Sequence, residues 1–438
     1  MEREEMSRLL LRARGMAVLR GVLAPPVSKD FLALLGLLAA RRPDPAAVAE
    51  TFGRLWEELA LEREPLLPDA WRSHLVGRLL DDENAFSLAA ERGEMNSALA
   101  EQTSRDLRTL QRLFDLEAEP LLNVVEDVVP GLEGVWVPWT NAGRGDTSSP
   151  RHALARKLEA AEDWGRCAGL LADHFSRHGA GPFGRHRAFR WGENGLRAVD
   201  EPDPVRLADL VGYERVREPL LTNTERFLAG LPTHHALLYG MPGTGKSSTV
   251  KAVLNEYADR GLRLVEVAKE DLEALPRVLE SLRARAPRFV IFVDDLSFEE
   301  NEVEYKALKA LLEGSVEEPP ENVRVYATSN RRNLIRERFS DRDEGGGDDD
   351  VHPHDTMREK LSLSARFGMR LTFPAPDQRR YLEIVEGLAR ERGLKAPEGH
   401  LRERALLWDR WHAGRSGRTA RQFVDEIEAE LANGASPP

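Results

Sequence analysis

The stretch Gly240-Met241-Pro242-Gly243-Thr244-Gly245-Lys246-Ser247 constrains this chain more than any other. It fits the spacing G-x-x-x-x-G-K-[ST], and its surroundings supply the context that spacing needs. Ala236-Leu237-Leu238-Tyr239 enters it as an apolar strand, and Ser248-Thr249-Val250-Lys251-Ala252-Val253-Leu254 leaves it with helical character. Glycines let a backbone wrap closely enough for its N–H groups to face phosphate oxygens. The following helix N-terminus adds a partial positive charge at the same point. In this frame Lys246 is expected to reach the β- and γ-phosphates of a nucleotide and the Ser247 hydroxyl to ligate Mg²⁺, and residues 240–248, Ser248 included, form the expected cradle. A glycine-rich turn that binds nothing is the plainer alternative. Three glycines, a lysine and a serine at this spacing weigh against it.

A phosphate loop needs a partner strand that carries an acid for magnesium. Phe289-Val290-Ile291-Phe292-Val293 is such a strand, and Asp294-Asp295 stands at its C-terminal end, where ligands bind in open α/β sheets. Asp294 is expected to hold the metal through water. Asp295 is the expected general base that orients the attacking water. Capping of the next helix is the alternative role for either. Val325-Tyr326-Ala327-Thr328-Ser329 leads to Asn330, which is placed to hydrogen-bond the γ-phosphate or the water.

Strand candidates Ala236–Tyr239, Leu262–Val267, Phe289–Val293, Val323–Ala327 and Met369–Phe373 alternate with helical segments, the signature of an α/β layered sheet. Before them the chain reads as helical. Leu9, Leu10, Met16, Val18 and Leu19 recur at near-helical spacing, Asp44-Pro45 opens a helix through Phe52, Leu55 and Leu59, and Leu99, Leu107, Leu110 and Leu113 form a further stripe. One more helix is expected from about Arg151 to His178, followed by a Gly- and Arg-rich connector over Gly179–Gly195. After Pro374-Ala375-Pro376 the chain turns helical again. The expected division is 1–140 helical domain, 141–200 linker and connecting helix, 201–376 α/β core, and 377–438 helical lid.

With 41% hydrophobic and 31% charged residues, the 438-residue chain has the composition of a globular protein with two or three domains. No apolar run approaches the length of a membrane helix, and the acidic start does not read as a signal peptide. Cys167 is the single cysteine, which excludes an internal disulfide and a cysteine-based zinc site and favours the cytoplasm. A net charge of −12 disfavours nucleic acid as a partner. Asp341–Asp355, with seven acidic residues and three glycines, reads as a solvated acidic loop. Its Asp348, Asp349, Asp350, His352 and His354 form a weaker metal-site alternative.

The order of phosphate loop, acid-tipped strand and polar strand end resembles the AAA+ ATPases. Asp209-Leu210-Val211-Gly212 resembles the segment that contacts adenine in that superfamily, which makes Val211 and Gly212 nucleotide contacts. Ser364-Ala365-Arg366-Phe367-Gly368 resembles the box that carries an arginine finger. Ser416-Gly417-Arg418-Thr419-Ala420 resembles the sensor-2 segment of the lid, with Arg415 and Arg421 as competitors for the role of Arg418. Thr244–Ser248, Asp294-Asp295-Leu296-Ser297-Phe298, Tyr305-Lys306-Ala307-Leu308-Lys309, Ala327–Arg332 and Ser416–Arg418 are similar to a bacterial branch, the domain-of-unknown-function 815 family, from about Ala180 to the C-terminus.

The resemblance implies a P-loop NTPase fold of AAA+ type. Its parallel sheet is flanked by helices, with an N-terminal helical domain and a small C-terminal helical lid. It implies ATP hydrolysis with Mg²⁺, Arg418 on phosphate in the same chain, Arg366 acting on a neighbouring subunit in a ring or dimer, and an unidentified protein client. Alternatives are a nucleotide switch that hydrolyses little and a DNA-associated motor or loader. Two departures count. Asp295 stands where most of the superfamily has Glu, so slow turnover or help from Glu299 is expected. Ala268-Lys269-Glu270-Asp271-Leu272-Glu273 lacks the aromatic residue that peptide-threading motors carry after their second strand.

Overall fold

The computed structural model describes residues 3–62, 64–140, 149–297, 304–313, 319–330, 363–394, 398–412 and 414–432. The acidic segment Asp341–Asp355, Glu299, Arg331 and Arg332 lie outside the described residues. The chain divides into two compact units: Met1–Arg185 with Ala284–Pro287, and His186–Arg283 with Arg288–Pro438. The boundary falls within the stretch 141–200 expected as a linker. Helices on its near side belong to the first unit, and a β-hairpin on its far side belongs to the second.

The first unit is helical: α1 (Arg3–Arg14), α2 (Pro26–Ala39), α3 (Pro45–Ala60), α4 (Ala70–Asp81), α5 (Ala85–Arg92), α6 (Ser97–Phe114), α7 (Ala118–Val128), α8 (Pro150–Glu159), α9 (Ala168–His178) and the short α10 (Pro182–Arg185). Local chemistry sets several of the starts. The Asp44 carboxylate accepts from the N–H groups of Ala46 and Ala47 with Pro45 in the first turn, as expected, and Asn84 and Ser87 close a capping box on α5. The apolar faces meet in one core around Leu34, Leu35, Phe52, Trp71, Leu107 and Trp164, and Phe31 stacks on Trp71 at 3.5 Å. Each such large side chain contributes about 1.5–3 kcal/mol on burial.

Two expectations fail here. The apolar spacing through Leu19 outruns its helix. α1 ends at Arg14, and the Asp106 carboxylate accepts instead from the N–H groups of Ala17, Val18 and Leu19 at 3.0, 2.7 and 3.0 Å. A distant carboxylate thus satisfies donors that a continued helix would have used. The single helix expected over 151–178 is broken between α8 and α9. Asp163 caps Gly165, and the buried Trp164 donates its ring N–H to the carbonyl of Leu158.

The second unit is built on seven strands: β1 (Ala188–Gly192), β2 (Gly195–Val199), β3 (Ala236–Gly240), β4 (Leu262–Glu266), β5 (Arg288–Val293), β6 (Val323–Ser329) and β7 (Met369–Phe373). They lie in the order β2-β1-β4-β5-β6-β3-β7, parallel throughout except for the β1–β2 hairpin. All five expected strands are present. The hairpin corrects the connector expected over Gly179–Gly195. Phe189 and Trp191 are buried, the intervening Arg190 is exposed, and Gly195 follows the turn.

Helices α11 (Glu214–Leu228), α12 (Lys246–Tyr257), α13 (Leu275–Leu282) and α14 (Glu304–Glu313) separate the strands. The lid follows as α15 (Gln378–Glu391), α16 (Glu398–Trp411) and α17 (Gly417–Ala432), held by Tyr381, Ile384, Val385, Phe423 and Val424. β3 leads through α12 to β4, while its direct neighbours are β6 and β7. The C-terminal ends of β3, β5 and β6 therefore converge along one edge. Among the described residues, no helix is long and apolar enough to cross a membrane.

Candidate functional site

The loop between β3 and α12 is shaped by close approaches that exclude side chains. Gly240 has φ +145°, and a Cβ there would lie 1.9 Å from the carbonyl oxygen of Phe373 on β7. Gly243 has φ +74°, and its Cβ would fall within about 3 Å of Ser416 and Arg418 in the lid. Met241 and Pro242 are exposed on the outside of the loop. Thr244 is buried and donates to the carbonyl of Met241 at 2.9 Å. Gly245 precedes α12 in a left-handed conformation and accepts from Thr249. Ser248 lies in the first turn of that helix.

Lys246 is buried at 6% exposure, and its ammonium donates to the carbonyls of Gly240 and Met241, both at 2.9 Å, and to Asn330 Oδ1 at 3.0 Å. Burial pulls its pKa below the usual lysine value. Asp295 and Asp294 oppose that shift, and Arg418 adds to it.

The two acids leave the end of β5 as expected. Asp294 Oδ1 accepts from the Ser247 hydroxyl at 2.6 Å, from the Asp295 N–H at 3.1 Å and from the Thr328 hydroxyl. Asp295 has φ +49°, an uncommon conformation for a residue with a side chain, at a cost of about 1 kcal/mol. Its N–H also donates to Thr328 Oγ1 at 3.0 Å, and its carboxylate accepts from Asn330 Nδ2 at 2.6 Å. Because Asn330 Oδ1 faces the lysine, its amide nitrogen must face Asp295. Lys246, Asn330 and Asp295 thus form one hydrogen-bonded line across the ends of β3, β6 and β5. Beside the acids opens a cleft lined by Arg190, Glu266, Lys269, Glu270 and Ser297, with Arg190 in a two-pronged ion pair to Glu266.

The lid meets the loop directly. The Arg418 backbone N–H donates to the Gly243 carbonyl at 3.2 Å. Arg415 is ion-paired with Asp409 at 2.8 Å, and Arg421 lies near Glu391. Val211 packs against α15 so closely that a Cβ on Gly387 would come within 2.6 Å of its methyls. Gly212, at φ +79°, donates to Glu214 and lies against Ile384. The following Tyr213 donates its hydroxyl to the Pro374 carbonyl and carries the Arg380 guanidinium over its ring.

Arg366 does not join this constellation within its own chain. It closes a helical turn three residues before β7, at the N-terminal end of the sheet. At about 3.3 Å per residue, β7 alone spans roughly 13 Å between that end and Phe373, the register partner of Gly240.

Residues 184–431, more than half of the chain, match the family described as protein of unknown function (DUF815). The chain belongs to that family. This DUF815 protein is also similar to the proteasome-activating nucleotidase of Thermococcus gammatolerans (27% identity over 46% of this chain and 51% of the relative). It resembles the 26S proteasome regulatory subunit 6B homolog of Schizosaccharomyces pombe (28%, 46% and 53%) and the replication factor C large subunit of Staphylothermus marinus (30%, 25% and 27%). The chain thus spans between about a quarter and half of the length of these relatives. Among solved structures it is similar to the Thermotoga maritima RuvB Holliday junction branch migration motor, at 19% identity over 53% of this chain and 67% of that one, with a TM-score of 0.37. Family, relatives and sheet together make this DUF815 protein a P-loop protein of AAA+ type.

One member of this hydrogen-bonded constellation escaped the sequence reading of this DUF815 chain. Thr328, at 1% exposure, bonds to both acids through a single hydroxyl. Its signal was its place two residues before Asn330 on an acid-flanking strand.

Proposed function

We propose that this protein hydrolyses ATP with magnesium and couples turnover to remodelling or regulating a partner protein. The observation that carries the reading is the convergence of Lys246, Ser247, Asp294, Asp295 and Asn330 on one end of the sheet, with the lid's Arg418 segment against the loop. The Ser247 hydroxyl and the Asp294 carboxylate, 2.6 Å apart, are hard oxygen donors of the kind magnesium takes. Bound there with the nucleotide, magnesium would neutralise phosphate charge.

The chain's own groups supply the rest. Lys246 exchanges its loop carbonyls for β- and γ-phosphate oxygens, and the N–H groups of residues 243–248 cradle the same phosphates. Val211 and Gly212 border the base between the loop and α15. Asp295 takes the proton of the attacking water, and Asn330 orients that water or the γ-phosphate. Arg418 reports phosphate to the lid in the same chain. Arg366, held at the far end of its own sheet, serves the site of a second copy, which makes the active form a ring or dimer.

The 201–376 core and 377–438 lid form the motor, and the helical part before residue 140 recognises the client in a cytoplasmic setting. The chain's relatives include proteasomal and replication proteins. The net charge of −12 favours a protein client over nucleic acid.

A second reading, a nucleotide switch that hydrolyses little, is favoured by one observation. Asp295 is one methylene shorter than the usual Glu and is held by Asn330 at 2.6 Å. Steady-state phosphate release by the full chain separates the two. Turnover that is lost in both Lys246→Ala and Asp295→Asn, while Asp295→Asn still retains ATP, supports the hydrolase. Tight ATP binding without release in the wild type supports the switch, and no ATP binding at all overturns both. Sizing with a non-hydrolysable ATP analogue tests the assembly.

A further inference from the structure

The polar groups around Asp294 are not evenly distributed. Its Oδ1 receives three donors, the hydroxyls of Ser247 and Thr328 and the N–H of Asp295, whereas Oδ2 receives none among the described residues. Thr328 is the member of this set that no solvent reaches. It sits near the end of β6, paired in register with Leu238 of β3, with β5 on the other side. Its backbone carbonyl accepts from the Leu296 N–H at 2.7 Å, so the residues after the acids are tied to the same position.

Hydroxyl stoichiometry makes the arrangement directional. A threonine hydroxyl has one proton. Thr328 Oγ1 must accept from the Asp295 N–H, so its proton goes to Asp294 Oδ1. One side chain therefore fixes the rotation of the Asp294 carboxylate and the left-handed backbone of Asp295 together. The Ser247 hydroxyl likewise uses its proton on Oδ1, which leaves its lone pairs facing outward. A cation is offered Ser247 Oγ and Asp294 Oδ2.

We propose that Thr328 is the positioning residue of the metal centre: it turns Asp294 so that Oδ2 is presented to the cation. The proposal rests on Asp294 as a magnesium ligand, the reading given above. Partners behind a metal ligand typically change metal affinity by about 10–100-fold when removed.

The test is direct binding of Mn²⁺ to the full chain with ADP, followed by electron paramagnetic resonance, and binding of a fluorescent ADP in chelator. Thr328→Val keeps the shape and removes the hydroxyl, Thr328→Ala removes both, and Thr328→Ser restores the hydroxyl. The expected result is Mn²⁺ affinity weakened about 10–100-fold in Thr328→Val and Thr328→Ala and near wild type in Thr328→Ser, with metal-free ADP affinity unchanged in all. Should Thr328→Val fail to fold, Thr328→Ala decides. Mn²⁺ affinity unchanged in the hydroxyl-free variants overturns the proposal, as does an equal loss of metal-free ADP affinity, which marks a merely structural role. A wild-type chain that binds ADP but no Mn²⁺ removes the parent reading instead, a result distinct from either.

Discussion

The two ends of the parallel sheet are built on opposite principles. At the C-terminal end, charged side chains gather around shared neutral partners: Lys246 and Asp295 meet on the Asn330 amide, and Asp294 takes the Ser247 and Thr328 hydroxyls, with a left-handed aspartate among them. At the N-terminal end a network of neutral groups is mutually satisfied, and the cations Arg288 and Arg324 lie over the Phe227 ring. The Tyr326 hydroxyl lies between Thr224 at 2.8 Å and Asn223 at 3.3 Å. Asn223 bonds to both the N–H and the carbonyl of His234, and His235 Nδ1 accepts from the Val325 N–H at 3.0 Å. One end has its polar groups paired within the fold, Arg288 on the Glu321 carbonyl and Arg324 on the Thr233 hydroxyl included. The other keeps charge and backbone strain in reserve for a ligand, as functional sites do. Arg366 also lies at the N-terminal end, as a candidate catalytic cation.

Arg366 gives the largest expected effect. Arg366→Ala should lower ATP turnover by about 10³-fold with ATP affinity intact, the scale of a lost arginine finger. Mixing Arg366→Ala with Lys246→Ala chains should restore part of the activity, since each repairs the other across a shared interface. No recovery on mixing removes the role in a second copy.

Next in size, Lys246→Ala should weaken ATP binding about 100-fold or more in a fluorescence titration, because two or more charge-assisted hydrogen bonds are lost. Its melting temperature should not fall, since the lysine is a buried cation whose pKa is already depressed. A large loss of stability would show that the charged end also holds the fold.

Tyr326→Phe tests the other end. It should cost about 1–2 kcal/mol in denaturant unfolding, the scale of a buried hydrogen bond, and leave ATP affinity unchanged. A changed affinity would mean that the two ends are coupled.

The last effect is confined to acid pH. Burial, with help from Arg324 and His234, lowers the His235 pKa from its ordinary 6.5 to about 4. The folded state keeps this imidazole neutral while the unfolded chain protonates it, so stability is lost as pH falls from about 6.5 to about 4. His235→Asn puts a non-titrating oxygen where Nδ1 accepts, and should flatten that part of the wild-type acid limb. The buried His74, lowered to about 4 in the helical unit, keeps its own share in both proteins, so the difference between them is the measurement.

The phosphate loop was legible because its information is local: strand, glycines, lysine, serine and helix are contiguous. The Asp44-Pro45 helix start was legible for the same reason. The hairpin of β1 and β2 was missed although Asn194-Gly195 is a turn signal, because the arginines around it read as a polar connector. Asp106 could not be read as the cap of residues 17–19, since nothing in a sequence announces a partner 87 to 89 positions away. Thr328 looked like any strand threonine until β5 and β6 were side by side.

By itself, the sequence determined that a glycine-rich loop of phosphate-binding pattern joins a strand to a helix, which strand ends in the paired acids, and that helices precede and follow the α/β core, because periodicity and turn chemistry act over a few residues. Only the tertiary structure decided the strand order that brings Asn330 onto Lys246 and Asp295, the contact of the Arg418 backbone with the loop, and the place of Arg366 at the opposite end of the sheet. Each of these depends on which strands pair and which helix covers them. Pairing is settled by the burial of whole faces at once, and that sum is not written in any single stretch of chain.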